Sequence, residues 1–143
     1  MSLECGRSQT CMCQILVVDN DPAMRSLLVD ELSDNGCQVV ESPDGCDALA
    51  KVKLQAFNLV ITDLKMPGGG YAYLKKMLAS VQDCPVILIT AFGNAQTRKD
   101  VLAFGISAYF DKPVRVNELR AALQRVCPID KLRTCQNQMI KDG

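Results

Sequence analysis

The sequence predicts an α/β fold in which helices cover both faces of a parallel sheet. Short apolar runs alternate along the chain with segments whose apolar residues recur at helical spacing, and there are five of each. This alternation is typical of parallel strands joined by right-handed helical crossovers. The 143 residues suit one domain with a sizeable core, and an apolar content of 48% excludes an intrinsically disordered chain.

The five short apolar runs predict the strands. The run before Asp63 is apolar at almost every position, and Pro67 with three glycines follows it, as expected of a strand buried on both faces of a parallel sheet. The pair Lys112-Pro113 ends the fifth run. In chain order, the predicted strands are Gln14–Val18, Cys37–Val40, Asn58–Thr62, Val86–Ile89 and Ala108–Phe110.

The segments between and after these runs predict the helices. Asp21 before Pro22 is a typical helix start, because a capping carboxylate precedes proline at the first helical position. Gly36 and Gly105 are typical residues at helix ends. The predicted helices cover about 22–35, 48–55, 71–81, 97–104 and 116–126. The apolar spacing of the first two rests on Met24, Leu27, Leu28 and Leu32, then on Ala48, Leu49, Val52 and Leu54.

Charge and hydropathy narrow the class of protein. Lys+Arg and Asp+Glu both number 16, so bulk charge gives no support for direct nucleic-acid binding by this domain. The chain has no apolar run long enough to span a membrane, and its first residues do not match a signal peptide. We therefore expect a cytoplasmic domain that makes no membrane contact.

Eight cysteines are many for this length. They include no C-x-x-C pair, and the chain has no histidine to complete a mixed zinc site. We expect reduced thiols in a reducing cytosol. Adventitious disulfides and a metal site on Cys5, Cys11 and Cys13 are the alternatives. The cysteines are Cys5, Cys11, Cys13, Cys37, Cys46, Cys84, Cys127 and Cys135.

Polar residues that can do chemistry follow four of the five predicted strands. Asp63 ends the third strand, where an acid is costly to bury unless it is paired, bound to a metal or used. Asp19 follows the first strand, Thr90 the fourth and Lys112 the fifth. Since the carboxyl ends of parallel strands share one edge, we expect a site there. The structural alternatives are a carboxylate satisfied by backbone amides, a turn residue, a plain strand residue and a surface lysine.

Four short segments in this order carry a family resemblance. The segments VVDN, ITDLKMPG, LITA and YFDKP, each at a strand end, together resemble the receiver domain of two-component response regulators over about residues 14–127. The resemblance implies a flavodoxin-like doubly wound sheet with strand order 2-1-3-4-5. Because residues 1–12 are polar and unpatterned and those after Pro128 are mixed, we expect a disordered lead-in at 1–12, the receiver domain at 13–127, and at 128–143 a tail or the start of a linker to an output region.

The resemblance implies a phosphoryl-transfer site. Asp63 is then the phosphoacceptor, and the donor is a sensor histidine kinase or a small acyl phosphate. Asp19 and Asn20 occupy the positions of an acidic pair that holds Mg²⁺ or Mn²⁺ together with Asp63. The backbone carbonyl of Lys65 would complete the protein ligands, so its side chain is not constrained.

The resemblance also implies a conformational switch. Thr90 would turn its hydroxyl toward the phosphoryl oxygens, and Lys112 would pair with them. Tyr109 matches the aromatic residue that moves between exposed and buried positions on activation, and Lys112-Pro113 is often a cis peptide in this family. The implied partners are an output domain or a downstream protein, and a second copy bound through the face of the fourth helix and fifth strand.

One departure from the family pattern leaves an alternative open. Asn20 stands where the family most often has aspartate, which predicts weaker Mg²⁺ binding because an amide oxygen brings no charge. The alternative function is a pseudo-receiver, an interaction domain that is not phosphorylated. An aspartyl-phosphate hydrolase would need an acid where Lys65 stands, and a flavin-binding module would carry a bound chromophore. We expect no enzyme beyond self-phosphorylation and self-dephosphorylation.

Overall fold

The computed structural model describes residues 13–33, 36–91 and 93–126. Within them five parallel strands form one sheet in the order β2-β1-β3-β4-β5, which confirms the predicted topology. The expectations for 1–12 and 128–143 lie outside the described residues. The strands are β1 (Gln14–Val18), β2 (Gln38–Ser42), β3 (Leu59–Thr62), β4 (Val86–Thr90) and β5 (Ala108–Asp111).

Five helices alternate with the strands, as predicted. They are α1 (Pro22–Ser33), α2 (Gly45–Leu54), α3 (Tyr71–Ser80), α4 (Ala95–Phe104) and α5 (Val116–Val126). Two of them begin before the predicted residue, because a polar side chain caps the first turn. The Asp44 carboxylate accepts the Asp47 amide at 2.8 Å, and the Asn94 side chain accepts the Thr97 amide at 2.8 Å.

The sheet separates two apolar clusters. On one face α1 and α5 pack against alternate strand residues such as Ile15, Ile61 and Ile87. On the other face α2, α3 and α4 pack against the intervening residues, among them Leu16 and Leu88. Because both faces are covered, β1, β3 and β4 are almost wholly buried, as their apolar composition predicts. Because the strands are parallel, their carboxyl ends share one edge.

Two of the apolar residues that mark the helical spacing are exposed. Leu27 is 47% exposed and Leu54 is 84% exposed. The buried stripe of α1 runs through Leu28 and Leu32, and a neighbouring residue on a helix points about 100° away from that stripe. Leu54 is the last residue of α2, so no following turn covers it.

A buried hydroxyl pair closes the end of β3. The Thr62 hydroxyl donates to the carbonyl oxygen of Asp63 at 2.8 Å, and the Tyr73 hydroxyl lies 2.8 Å from the same Thr62 oxygen. Because the Thr62 hydroxyl already donates its proton to the Asp63 carbonyl, the Tyr73 hydroxyl is the donor in the second hydrogen bond. Burial raises the pKa of Tyr73 to about 12, so this donor keeps its proton at neutral pH.

Among the residues that the structure describes, none of the helices combines the length and the apolar character needed to cross a bilayer.

Candidate functional site

Asp63 lies directly after β3, where the sheet edge opens to solvent. It is 5% exposed, and its amide donates to the Val18 carbonyl at 2.9 Å, which ties it to β1. One carboxylate oxygen, Oδ1, accepts the amides of Leu64 at 2.6 Å and Lys65 at 3.3 Å. These amides fix the plane of the carboxylate and leave Oδ2 directed at the neighbouring strand ends.

Asp19 follows β1 and is also buried. Its amide donates to the Ser42 carbonyl at 3.1 Å, and its Oδ1 accepts the Asp21 amide at 2.9 Å. Asn20 is exposed, whereas Asp19 is 2% exposed. The Asp21 carboxylate accepts the Ala23 amide at 3.0 Å, so it caps α1 as the sequence predicted.

Lys112 joins the two buried carboxylates. Its ammonium lies 2.7 Å from Oδ2 of Asp19 and 2.9 Å from Oδ2 of Asp63. Burial alone lowers the pKa of Lys112, but its hydrogen bonds to both carboxylates raise it by more, and the net pKa is raised. The lysine therefore stays charged at neutral pH, and two carboxylates share one ammonium with a formal charge of one minus left over.

Thr90 and Lys112 meet where β4 and β5 end. Thr90 is fully buried as the last residue of β4, and the Lys112 amide donates to its carbonyl at 2.8 Å. The Lys112-Pro113 peptide is cis, in agreement with the resemblance. The structure thus brings Asp19, Asp63, Thr90 and Lys112 to one edge of the sheet, as predicted from their positions after four strands.

Tyr109 lies against the loop between β4 and α4. Its ring is half-buried, its hydroxyl donates to Asp111 Oδ1 at 2.9 Å, and the Arg98 guanidinium lies 5.7 Å from the ring centre. A Cβ on Gly93 would stand 1.6 Å from the Tyr109 hydroxyl oxygen and 3.1 Å from Cγ2 of Thr90. Gly93 therefore provides the space that Tyr109 occupies. Burial and then Asp111 raise the pKa of Tyr109 to about 12.

Arg25 supports the site, and sequence analysis did not identify it. Its Nη1 donates to the Asp19 carbonyl at 2.6 Å, and its Nε donates to Glu41 Oε1 at 3.2 Å. The guanidinium thus joins the loop after β1 to β2. The residue stands four positions after Asp21 on α1, but its partner Glu41 is distant in sequence, so no local pattern marks the contact.

The oxygen donors at this edge fit a divalent cation of the Mg²⁺ type. The Asp19 and Asp63 carboxylates converge on a single cation, Lys112, and hard oxygen ligands suit Mg²⁺. In the ranges 13–33, 36–91 and 93–126, no group of three or more acidic, histidine or cysteine side chains is placed to hold a metal.

Comparisons with known proteins match this geometry. The family model "Response regulator receiver domain" matches residues 15–124. Chemotaxis protein CheY4 of Vibrio cholerae superposes with a TM-score of 0.72 at 29% identity, over 80% of this chain and 98% of that chain.

Curated relatives include whole proteins and parts of larger ones. Sporulation initiation phosphotransferase F of Bacillus subtilis (strain 168) is 31% identical over 117 residues, which are 81% of this chain and 94% of that protein. Sensor histidine kinase RcsC of Salmonella typhi is 34% identical over 76% of this chain, which spans 12% of the kinase. Other curated relatives are matched over about half of their length. The family match and the shared fold lead to one conclusion: this chain belongs to the response regulator receiver domain family.

Proposed function

We propose that this chain accepts a phosphoryl group on Asp63 and uses it to switch conformation. Phosphorylation on an aspartate is general for the receiver family, whose members are signalling domains rather than classical enzymes. The observation that supports the proposal best is the contact of Lys112 with both Asp19 and Asp63. It gathers a nucleophile, a second anion and a cation at one edge of the sheet.

The reaction is a displacement at phosphorus. Oδ2 of Asp63 attacks, a new oxygen–phosphorus bond forms, and the bond to the donor's leaving group breaks with its electron pair. Phosphoryl transfer depends mainly on positioning and on stabilising charge spread over the phosphoryl oxygens. Lys112 already lies beside Oδ2, and Thr90 ends the adjacent strand. The amides of Leu64 and Lys65 hold Oδ1 and so orient the attacking oxygen.

A divalent cation completes the proposed site. Asp19, Asn20, Asp63 and the backbone carbonyl of Lys65 would hold Mg²⁺ or Mn²⁺. The cation supplies charge that offsets repulsion between the Asp63 carboxylate and the incoming phosphoryl group. Lys112 lies beside Oδ2 of both carboxylates, so its ammonium would also pair with the phosphoryl oxygens on Asp63.

The proposed donor is a sensor histidine kinase, with small acyl phosphates as substitutes in vitro. Similarity to part of a sensor histidine kinase supports this pairing. The chain would catalyse only its own phosphorylation and dephosphorylation, in the cytoplasm. Its output would be an attached domain or a downstream protein, with dimerisation through the face of α4 and β5 as one route.

The proposed switch connects Thr90 to Tyr109 through Gly93. Gly93 lies between the methyl group of Thr90 and the hydroxyl of Tyr109, so a movement of Thr90 toward a phosphoryl group changes the space beside the ring. A charge change at Asp63 then biases a two-state element at the surface of β5 and α4.

Asn20 supports a second candidate function, a pseudo-receiver that binds partners without being phosphorylated. The residue is exposed and carries no charge at a position proposed to ligate the cation. The two candidates differ in one measurable property, the Mg²⁺-dependent uptake of a phosphoryl group.

The first prediction concerns the phosphoacceptor. After incubation with acetyl phosphate and Mg²⁺, intact-protein mass spectrometry should find one phosphoryl adduct on the wild type and none on Asp63→Ala. The matched control is Asp30→Ala, which removes an exposed acid of α1 and should leave the adduct unchanged. An adduct on Asp63→Ala, or a wild-type adduct that forms equally without Mg²⁺, would contradict the proposed site.

The second prediction concerns the neutral ligand. Asn20→Asp should lower the Mg²⁺ concentration for half-maximal phosphorylation by about tenfold, the equivalent of about 1.4 kcal/mol of added attraction. Asn58→Asp makes the same change of charge at the opposite edge of the sheet and should not move the Mg²⁺ midpoint. If the wild type takes up no phosphate and Asn20→Asp does, the pseudo-receiver function is correct. Failure of both proteins contradicts the whole assignment.

The third prediction concerns the space beside Gly93 that the Tyr109 hydroxyl occupies, called the slot below. Gly93→Ala should expel the ring, because the new methyl group would stand 1.6 Å from the hydroxyl oxygen, while the flexible tyrosine tip allows the fold to persist. The pKa of Tyr109 should fall from about 12 toward 10, as followed by the absorbance of tyrosinate during an alkaline titration. Tyr109→Phe assigns the signal. An unchanged titration in Gly93→Ala would show that the ring does not depend on this slot.

A further inference from the structure

Two buried cysteines lie side by side at the edge of the sheet opposite Asp63. Cys13 precedes β1 and is 3% exposed, and Cys37 precedes β2 and is 7% exposed. Both are thiols and both belong to the apolar cluster under α1 and α5. None of the site chemistry described above uses either residue.

The strand register makes these two cysteines neighbours. β1 and β2 are parallel, and the first residues in register are Gln14 and Gln38. The Gln38 amide donates to the Cys13 carbonyl at 2.8 Å, so the ladder continues back to the position of the cysteines. Cys13 and Cys37 are therefore the preceding pair of the same register. Their side chains share one face, because both lie in the cluster that contains Ile15 and against which Val39 packs.

This separation suits a disulfide. Neighbouring strands lie about 4.8 Å apart, within the roughly 4.4–6.8 Å over which disulfides join two Cα atoms. The Cβ atoms of disulfides lie closer together, about 3.8 Å apart, so the two chains must draw slightly together. Both cysteines lie one residue before the first residues of β1 and β2.

We propose that Cys13 and Cys37 form an oxidisable dithiol that closes to a disulfide between β1 and β2. The oxidant is a low-molecular-weight disulfide such as oxidised glutathione. The Cys37 thiolate attacks one sulfur of the oxidant, which forms a mixed disulfide and releases one glutathione thiolate. The Cys13 thiolate then attacks the Cys37 sulfur and releases the second glutathione, so two protein thiols are oxidised and one disulfide is reduced to two thiols.

The link stabilises the fold without obstructing the phosphoacceptor. It closes the chain segment that contains α1, and this restricts the unfolded state more than the folded one. It lies at the amino ends of the strands, whereas Asp63 follows the carboxyl end of β3. Burial makes thiol–disulfide exchange slow, so the dithiol responds to sustained oxidising conditions rather than to brief ones.

The test isolates the pair by mass. In a Cys11→Ala/Cys46→Ala variant, Cys13 and Cys37 are the single cysteines of tryptic peptides 8–25 and 26–51. After equilibration of the full chain with oxidised glutathione, these two peptides should be joined in most molecules. The melting temperature should rise by about 5–10 °C and fall back on reduction.

Controls separate this pair from other thiols. Adding Cys37→Ala to the same background should abolish the linked peptide and the rise in melting temperature, whereas adding Cys84→Ala should preserve both. Unfolding and refolding in the same glutathione buffer removes the barrier that burial imposes on the folded protein. The proposal is overturned if peptides 8–25 and 26–51 remain unlinked after that refolding, or if peptide 8–25 pairs mainly with the peptide that carries Cys84.

Discussion

The candidate site depends on the contact of one ammonium, that of Lys112, with two buried carboxylates. Asp19 and Asp63 are both nearly inaccessible, and removing two anions from water is costly unless a cation and hydrogen bonds compensate. Lys112 and three backbone amides, those of Asp21, Leu64 and Lys65, provide that compensation. Compensation is incomplete, because one positive charge faces two negative ones. The surplus negative charge is what a divalent cation would neutralise, so the same arrangement that stabilises the fold prepares the site.

The sheet makes this contact possible, since its three partners are distant in sequence. β1, β3 and β5 end at the same edge because all five strands are parallel, and helices pack on both faces of the sheet. Backbone hydrogen bonds then join neighbouring strand ends. The Asp63 amide donates to the Val18 carbonyl, and the Lys112 amide donates to the Thr90 carbonyl. A site on such strand ends is held more precisely than one on a free loop.

Topology and the acidic site were predictable from the sequence because each has a local signal. Alternating periodicity predicts the parallel sheet, and a polar residue after an apolar run predicts a strand end. Contacts between distant residues have no such signal. The Arg25–Glu41 pair, the Tyr73–Thr62 hydroxyls and the slot at Gly93 each depend on which elements pack together. Leu27 and Leu54 mark helical spacing correctly but are exposed, because spacing alone does not show which residues of a helix are covered.

The central claim is that the Asp19 and Asp63 carboxylates share one cation. The most direct test is urea unfolding of the wild type and of Lys112→Met, each with and without Mg²⁺. Without Mg²⁺ the substitution should lower the free energy of unfolding by about 3 kcal/mol, because two buried carboxylates lose their cation. Mg²⁺ should recover part of that loss, while Lys76→Met, an exposed lysine of α3, should change little. Equal stabilities of the wild type and Lys112→Met, or a loss that Mg²⁺ leaves untouched, would contradict this claim.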